Sequence, residues 1–166
     1  MADLSGFIAI ALISLITLHT AIKWPDISRI LFVALTVRIL LMLVGHYIII
    51  LPDSTFDAMG FEKGAWERSQ SDFLNIIINY PRDSNYIKSI IAIPYHLFGR
   101  SLLMAKSISL FFGMGSIFLG WLLARKLWDE RTANKIAWIL ALFPSLILYS
   151  VLTLREVYAC FFILVA

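Results

Sequence analysis

Charge is scarce in this sequence. Asp, Glu, Lys and Arg make up 15% of its 166 residues, and 60% are hydrophobic. A water-soluble domain carries about a quarter charged residues and about half apolar ones, so the composition, with a mean hydropathy of +0.85, argues against a soluble class. Cysteine is rarer still: Cys160 alone excludes an internal disulfide and a cysteine metal cluster. Glycine-rich phosphate loops, nucleophile elbows and dinucleotide fingerprints are absent, which removes the common soluble nucleotide and acyl-transfer chemistries. His19, His46 and His96 show no metal-ligand spacing with the carboxylates, so a divalent metal gains no support and no cofactor is required. The net charge of +3 comes without a basic stripe interleaved with aromatics, and a nucleic-acid partner is not expected. No internal repeat or low-complexity segment is present.

What fills the chain instead is long apolar runs. About 20 apolar residues at 1.5 Å each cross the hydrocarbon core. By that measure Leu4–Ile22, Ile30–Leu51, Ser101–Ala124 and Ile136–Leu154 read as spans, with a shorter apolar run over Val157–Ala166. Asp3 stands where a signal peptide would carry positive charge, so the first run reads as a span rather than a leader. Pro25 breaks the chain after the first span, with Asp26 or Ser28 available as an N-cap, and Pro52 marks the exit of the second. The expected fold is an all-α, polytopic transmembrane bundle, a single domain over residues 1–166 with a long external loop at 52–100. The final apolar run is too short to span, so either the last helix lies in the membrane interface or the chain is a fragment of a longer membrane protein, and the fragment is the expectation.

Lys and Arg near the span ends set the orientation. The short segments 23–29 and 125–135 hold Lys23, Arg29, Arg125, Lys126, Arg131 and Lys135. The loop 52–100 spreads Lys63, Arg68, Arg82, Lys88 and Arg100 among Asp53, Asp57, Glu62, Glu67, Asp72 and Asp83. By the positive-inside rule the short basic loops are cytoplasmic and the long loop faces the periplasm or exterior; a bacterial inner membrane is the expected location.

The long loop carries helix signals. Ser54 and Asp57 fit a capping box, and Phe61, Ala65, Phe73, Ile76 and Ile77 recur at helical spacing among polar residues, as in an amphipathic helix on the membrane surface with Trp66 as an interfacial anchor. The "NYPRDSN" turn and "YIKSIIAIPYHLFG", interrupted by Pro94 and closed by Gly99, suit a second juxtamembrane helix. Gly113, Gly115 and Gly120 in the third span suit close helix packing.

A helix with an intramembrane Arg38, an acidic exit "LPDSTFD", a loop of surface helices, the basic "ARKLWDERTANKIA" and the ending "ALFPSLILYSVLTLREVYACFF" together resemble the amino-terminal part of GT-C-fold polytopic glycosyltransferases. These are the polyprenyl- or dolichyl-phosphate-sugar-dependent enzymes that include protein mannosyltransferases and aminoarabinose transferases. The resemblance covers about residues 30–166, with the first span an extra helix. It implies inverting transfer of a sugar from a lipid-linked donor, among membrane lipids, to an acceptor that is not identified. It implies that an Asp at the start of the first external loop acts on the acceptor nucleophile; by position Asp53 matches, followed by Phe56 where Tyr is commoner, with Asp57 as rival. A carboxylate buried against apolar neighbours gains a pKa suited to a general base; the structural alternatives are a solvated exit charge for Asp53 and a capping partner for Asp57. Glu156 corresponds to an acid that similar enzymes place near the outer end of its helix, the alternative being a local ion pair with Arg155. Arg100, Lys106 and Arg155 are the candidates for binding a lipid phosphate, with snorkelling as the bland reading for Arg38 and Lys106. Rival functions are a cell-envelope glycan polymerase or flippase, and a non-enzymatic transport or accessory subunit in which Arg38, Lys106 and Glu156 line a path or pair between helices.

Overall fold

In the computed structural model, which describes residues 2–78 and 85–166, all regular structure among the described residues is helical. The "NYPRDSN" turn lies largely outside them. Three helices are long and apolar enough to cross a membrane: α1 (Ala2–Lys23), α2 (Pro25–Tyr47) and α6 (Leu102–Leu127). Their 22, 23 and 26 residues correspond to about 33, 35 and 39 Å.

Pro25 separates α1 from α2 and starts the second helix at N1, where its missing N–H costs nothing. Neither Asp26 nor Ser28 is the N-cap; that position falls to Trp24, and Ser28 Oγ donates to the Pro25 carbonyl at 2.7 Å. The chain therefore reverses tightly, and α1 and α2 lie antiparallel: His46 Nε2 near the end of α2 is 3.6 Å from Asp3 Oδ1 at the start of α1. At the opposite end Arg125, late in α6, is 3.9 Å from Asp26 and stands over the rings of Trp24 and Trp121 at 5.3 and 5.0 Å. The basic segments 23–29 and 125–135 thus share one end of the bundle, and residues 48–56 and 99–101 share the other.

Helix α2 stops at Tyr47, several residues before the expected exit at Pro52. Ile48–Leu51 fold back, and the Leu51 side chain occupies the space a side chain on Gly45 would need, 2.3 Å from an ideal Cβ. Helix α6 is capped by Ser101, whose Oγ accepts from Met104 N at 3.2 Å. After it, Asp129 caps α7 (Glu130–Leu142) by accepting from the N–H groups of Arg131 and Thr132.

The apolar run 136–154 is not one continuous helix. It is divided at Phe143, where α7 ends and α8 (Pro144–Tyr149) begins, and residues 150–154 form a turn before α9 (Arg155–Val165). Proline explains the break: with no N–H it leaves the Leu140 carbonyl without its partner four residues on. Arg38 supplies what the proline removes. Its guanidinium, 1% exposed, donates to the carbonyls of Ala141 at 2.8 Å and Leu140 at 3.3 Å, and to Ser150 Oγ at 3.0 Å. Arg38 therefore does not snorkel. It sits at the negative C-terminal end of α7, where a cation is favoured, and satisfies orphan acceptors that would otherwise be buried unpaired.

Between the second and third membrane-length helices lie α3 (Phe56–Ser69), α4 (Phe73–Ile78) and α5 (Tyr86–Phe98). The single amphipathic helix expected after Ser54 is thus two, parted at Gln70–Asp72. Helix α5 runs through Pro94 and closes at Gly99, whose φ of 82° is the left-handed conformation glycine tolerates. Helices α3 and α5 pack on each other around Ala65, Ile87, Ile91 and Tyr95, and dock on α6 and α9 through Met104, Ala105, Val157 and Tyr158. A larger core joins α2, α6 and α7, with Trp121 wholly buried at one end and Val151 and Leu152 at the other.

Candidate functional site

The acidic segment after α2 is shaped by its turn. Asp53 has φ +60°, the one non-glycine residue among those described with a left-handed backbone. Aspartate enters this region more readily than most residues, yet it still costs energy, and such strain collects at functional sites. The same turn undoes the expected capping box. Helix α3 starts at Phe56, Thr55 holds the N-cap position without a side-chain bond, and Ser54 Oγ donates instead to the Leu51 carbonyl at 2.6 Å. Asp57 is left free of a capping role, in the first turn of α3, where a carboxylate is favoured.

Glu156 arrives from the far end of the chain. The 150–154 turn is buried throughout, and Thr153 Oγ1 donates to the Ala58 carbonyl of α3 at 2.6 Å. That bond brings the start of α9 against the start of α3. Asp53, Asp57 and Glu156 consequently line one pocket of about 360 Å³, with Thr55, Tyr149 and Leu154 also in its wall. All three carboxylates are exposed, so the apolar burial expected around a base is not present at these side chains. Arg155 Nε lies 3.5 Å from Glu156 Oε1, the local ion pair foreseen as that acid's alternative role; both side chains are about half exposed, and such pairs contribute little to stability.

A second pocket of about 420 Å³ lies on the other side of the same turn, lined by Leu152 and Thr153, and Thr55 belongs to both walls. Its remaining wall is mainly apolar, from Ile48, Ile49, Ile50, Met59 and Leu102. Lys106 opens into it from the start of α6. The residue is 6% exposed, and its Nζ reaches the Gly45 carbonyl at 3.4 Å, a long contact for a buried ammonium with three donors. His46 lines the same pocket, and its Nδ1 is buried without a hydrogen-bond partner. An ammonium and an imidazole with spare hydrogen-bonding capacity, set in an apolar wall, suit an amphiphilic anion.

Arg100 is committed elsewhere, and the phosphate-binding role expected for it has a competitor. Its Nε and Nη2 donate to Glu62 Oε1 and Oε2 at 2.9 and 2.8 Å, a bidentate fork that occupies the geometry a phosphate would use. Tyr95 Oη donates to Glu62 Oε1 at 2.9 Å, and the guanidinium lies 5.9 Å from the Trp66 ring centre. Burial alone would raise the Glu62 pKa, but the hydrogen bonds from Arg100 and Tyr95 and the Arg100 charge outweigh it and hold the carboxyl below its ordinary value. Burial, then the charge of Glu62, pushes the Tyr95 phenol up, so it remains a donor. Glu62 is 5% exposed and is the buried acid of this region, a role sequence did not reveal. Its partners lie on other elements, and the available signal was a charge on the apolar side of α3 next to Phe61 and Ala65.

Of the expected site residues, the structure therefore brings Asp53, Asp57 and Glu156 together, places Lys106 in the adjoining pocket and Arg155 beside Glu156, and sets Arg100 against α3. Among the described residues no three His, Cys, Asp or Glu side chains form a metal-ligand group. The chain matches no protein-family model, no curated protein and no solved structure.

Proposed function

We propose that this chain is the amino-terminal part of an integral-membrane glycosyltransferase of the GT-C type, which moves a sugar from a polyprenyl-phosphate donor to an acceptor outside the membrane. The observation that carries this reading is the convergence of Asp53, Asp57 and Glu156 on one pocket that shares Thr55 with the apolar-walled pocket of Lys106. The donor's phosphate sits by Lys106, its polyprenyl chain runs toward the lipid, and the sugar projects past Thr55 to the carboxylates. Asp53 takes the proton of an acceptor hydroxyl, whose oxygen attacks the anomeric carbon from the side opposite the phosphate. The bond from that carbon to the phosphate oxygen breaks, the electron pair leaves with the lipid phosphate, and the configuration inverts. Lys106, with Arg155 at the rim, offsets the charge on the departing phosphate. No nucleotide or metal is needed. Helices α3–α5 lie at the outer surface of a bacterial inner membrane, and the basic segments 23–29 and 125–135 face the cytoplasm.

The test is transfer from a lipid-linked sugar donor in membranes containing the intact protein. Asp53→Asn, which keeps the side chain's shape and its tolerance of a left-handed backbone, should lower turnover by about 10²–10⁴-fold. Asp53→Gly removes both the carboxylate and the strain, so it should leave stability unchanged or improved while abolishing transfer. Turnover that persists in Asp53→Asn but vanishes in Asp57→Asn moves the base to Asp57. Normal turnover in Asp53→Asn, Asp57→Asn and Glu156→Gln refutes the catalytic reading of this pocket.

A further inference from the structure

We propose that Arg38 is a positioning residue: by tying the proline break to the buried turn at 150–154, it sets where Glu156 stands relative to Asp53 and Asp57. Four observations combine. Pro144 divides the apolar run and leaves carbonyls at the end of α7 without donors. Arg38, from a different helix, takes the carbonyls of Leu140 and Ala141 with one edge of its guanidinium and Ser150 Oγ with Nε at 3.0 Å. The planar fork therefore joins the last turn of α7 to the first residue of the 150–154 turn in one rigid unit, which a single-headed ammonium cannot do.

Ser150 is pressed against α6 at Gly113, where an ideal Cβ would lie 2.4 Å from the Ser150 Cβ; only a residue without a side chain allows that approach. Finally, the far end of the turn is bonded to α3 through Thr153 and the Ala58 carbonyl. The turn is the wall between the two pockets, contributing Leu152 and Thr153 to one, with Leu154 and Glu156 lining the other. A buried cation deep in the bundle thereby sets the geometry of a site made by exposed acids. This placement holds whether or not the pocket transfers sugar; only its consequence for turnover rests on the function proposed above.

The experiment reads position directly. In full-length protein carrying Cys160→Ala, cysteines replace Asp57 and Glu156, and the rate of cross-linking by a short bis-maleimide is measured in native membranes. A second pair, at Asp26 and Arg125 on the other end of the bundle, reports global integrity. Ser150→Ala removes the hydroxyl that accepts from Arg38 and that also donates to the Ile147 carbonyl. Arg38→Lys keeps the Ser150–Ile147 bond and the charge but not the fork, so an effect common to both variants belongs to the Arg38 contact. Each should slow the 57–156 cross-link by about tenfold or more, as expected for losing a charge-assisted hydrogen bond, and leave the 26–125 cross-link unchanged. A 57–156 rate equal to the parent's in Ser150→Ala overturns the proposal, as does an equal fall at both pairs, which makes Arg38 and Ser150 general structural residues. A slowed 57–156 cross-link, in a protein whose form with Asp57 and Glu156 intact transfers no sugar, supports the positioning role and refutes the glycosyltransferase reading alone.

Discussion

Replacing Arg100 by Met leaves Glu62 with its burial and takes away most of what compensates it. The carboxylate loses two of its three hydrogen bonds, those at 2.9 and 2.8 Å, and keeps the one from Tyr95. Removing one partner of a fully buried ion pair costs about 3–5 kcal/mol. Here the Glu62 side chain is 7% exposed but that of Arg100 is 48% exposed, so solvent already screens one side and about 2–3 kcal/mol is the expected loss near neutral pH. The pH dependence gives the sharper test. In the parent the Glu62 pKa is depressed, so its contribution is fully present above the ordinary glutamate value of about 4.3 and is lost as pH falls through the lower folded value. In Arg100→Met burial dominates and the folded pKa moves above the ordinary value. The variant's deficit is then full at neutral pH and shrinks as acid neutralises the stranded carboxylate. Thermal unfolding in detergent between about pH 7 and pH 4 should therefore show the gap between parent and variant closing on acidification. Adding Glu62→Gln to Arg100→Met should recover about 1–2 kcal/mol at neutral pH, because no charge remains buried. A pH-independent gap, or a loss below about 0.5 kcal/mol, would make the pair an ordinary surface contact and refute this account.

Gly113→Ala should destabilise by about 1–3 kcal/mol, since the new methyl meets the Cβ of buried Ser150. Gly115→Ala should cost less, because it meets the edge of the partly buried Phe161 ring, which can turn away; melting temperatures in the reverse order would contradict the packing described. For orientation, cysteines at the exposed positions Met59 and Arg131 should differ toward an impermeant thiol reagent in intact cells, Met59→Cys labelled and Arg131→Cys shielded. The opposite pattern would invert the proposed topology and place the acidic pocket on the cytoplasmic side.

The local properties of this chain were written in its local sequence. The three membrane-length helices follow from apolar runs whose length alone matches a bilayer, Pro25 marks the first reversal, and Gly99 closes α5, because each depends on a residue and its near neighbours. Asp53, Asp57, Glu156 and Lys106 stood out singly for the same reason: a charge beside a long apolar run is visible without knowing what it faces. What they face is a tertiary matter. Glu156 shares a pocket with Asp53 because the turn at 150–154 is buried against α3 and α6, and Arg38 meets the end of α7 across 103 residues of chain at Ala141. Pro144 was plain to see, yet a missing N–H shows a vacancy and not its filler. The pairing of Glu62 is not legible in the sequence because Tyr95 lies in α5 and Arg100 just beyond it, with α4 between them and α3. The capping box at Ser54 failed because the left-handed turn at Asp53, packed by Leu51 over Gly45, starts α3 later than the side-chain pattern implies. Burial and helix length follow from residue type within a few turns of chain. The pairing of buried charges depends on which segments pack together, and that is decided only when the whole chain folds.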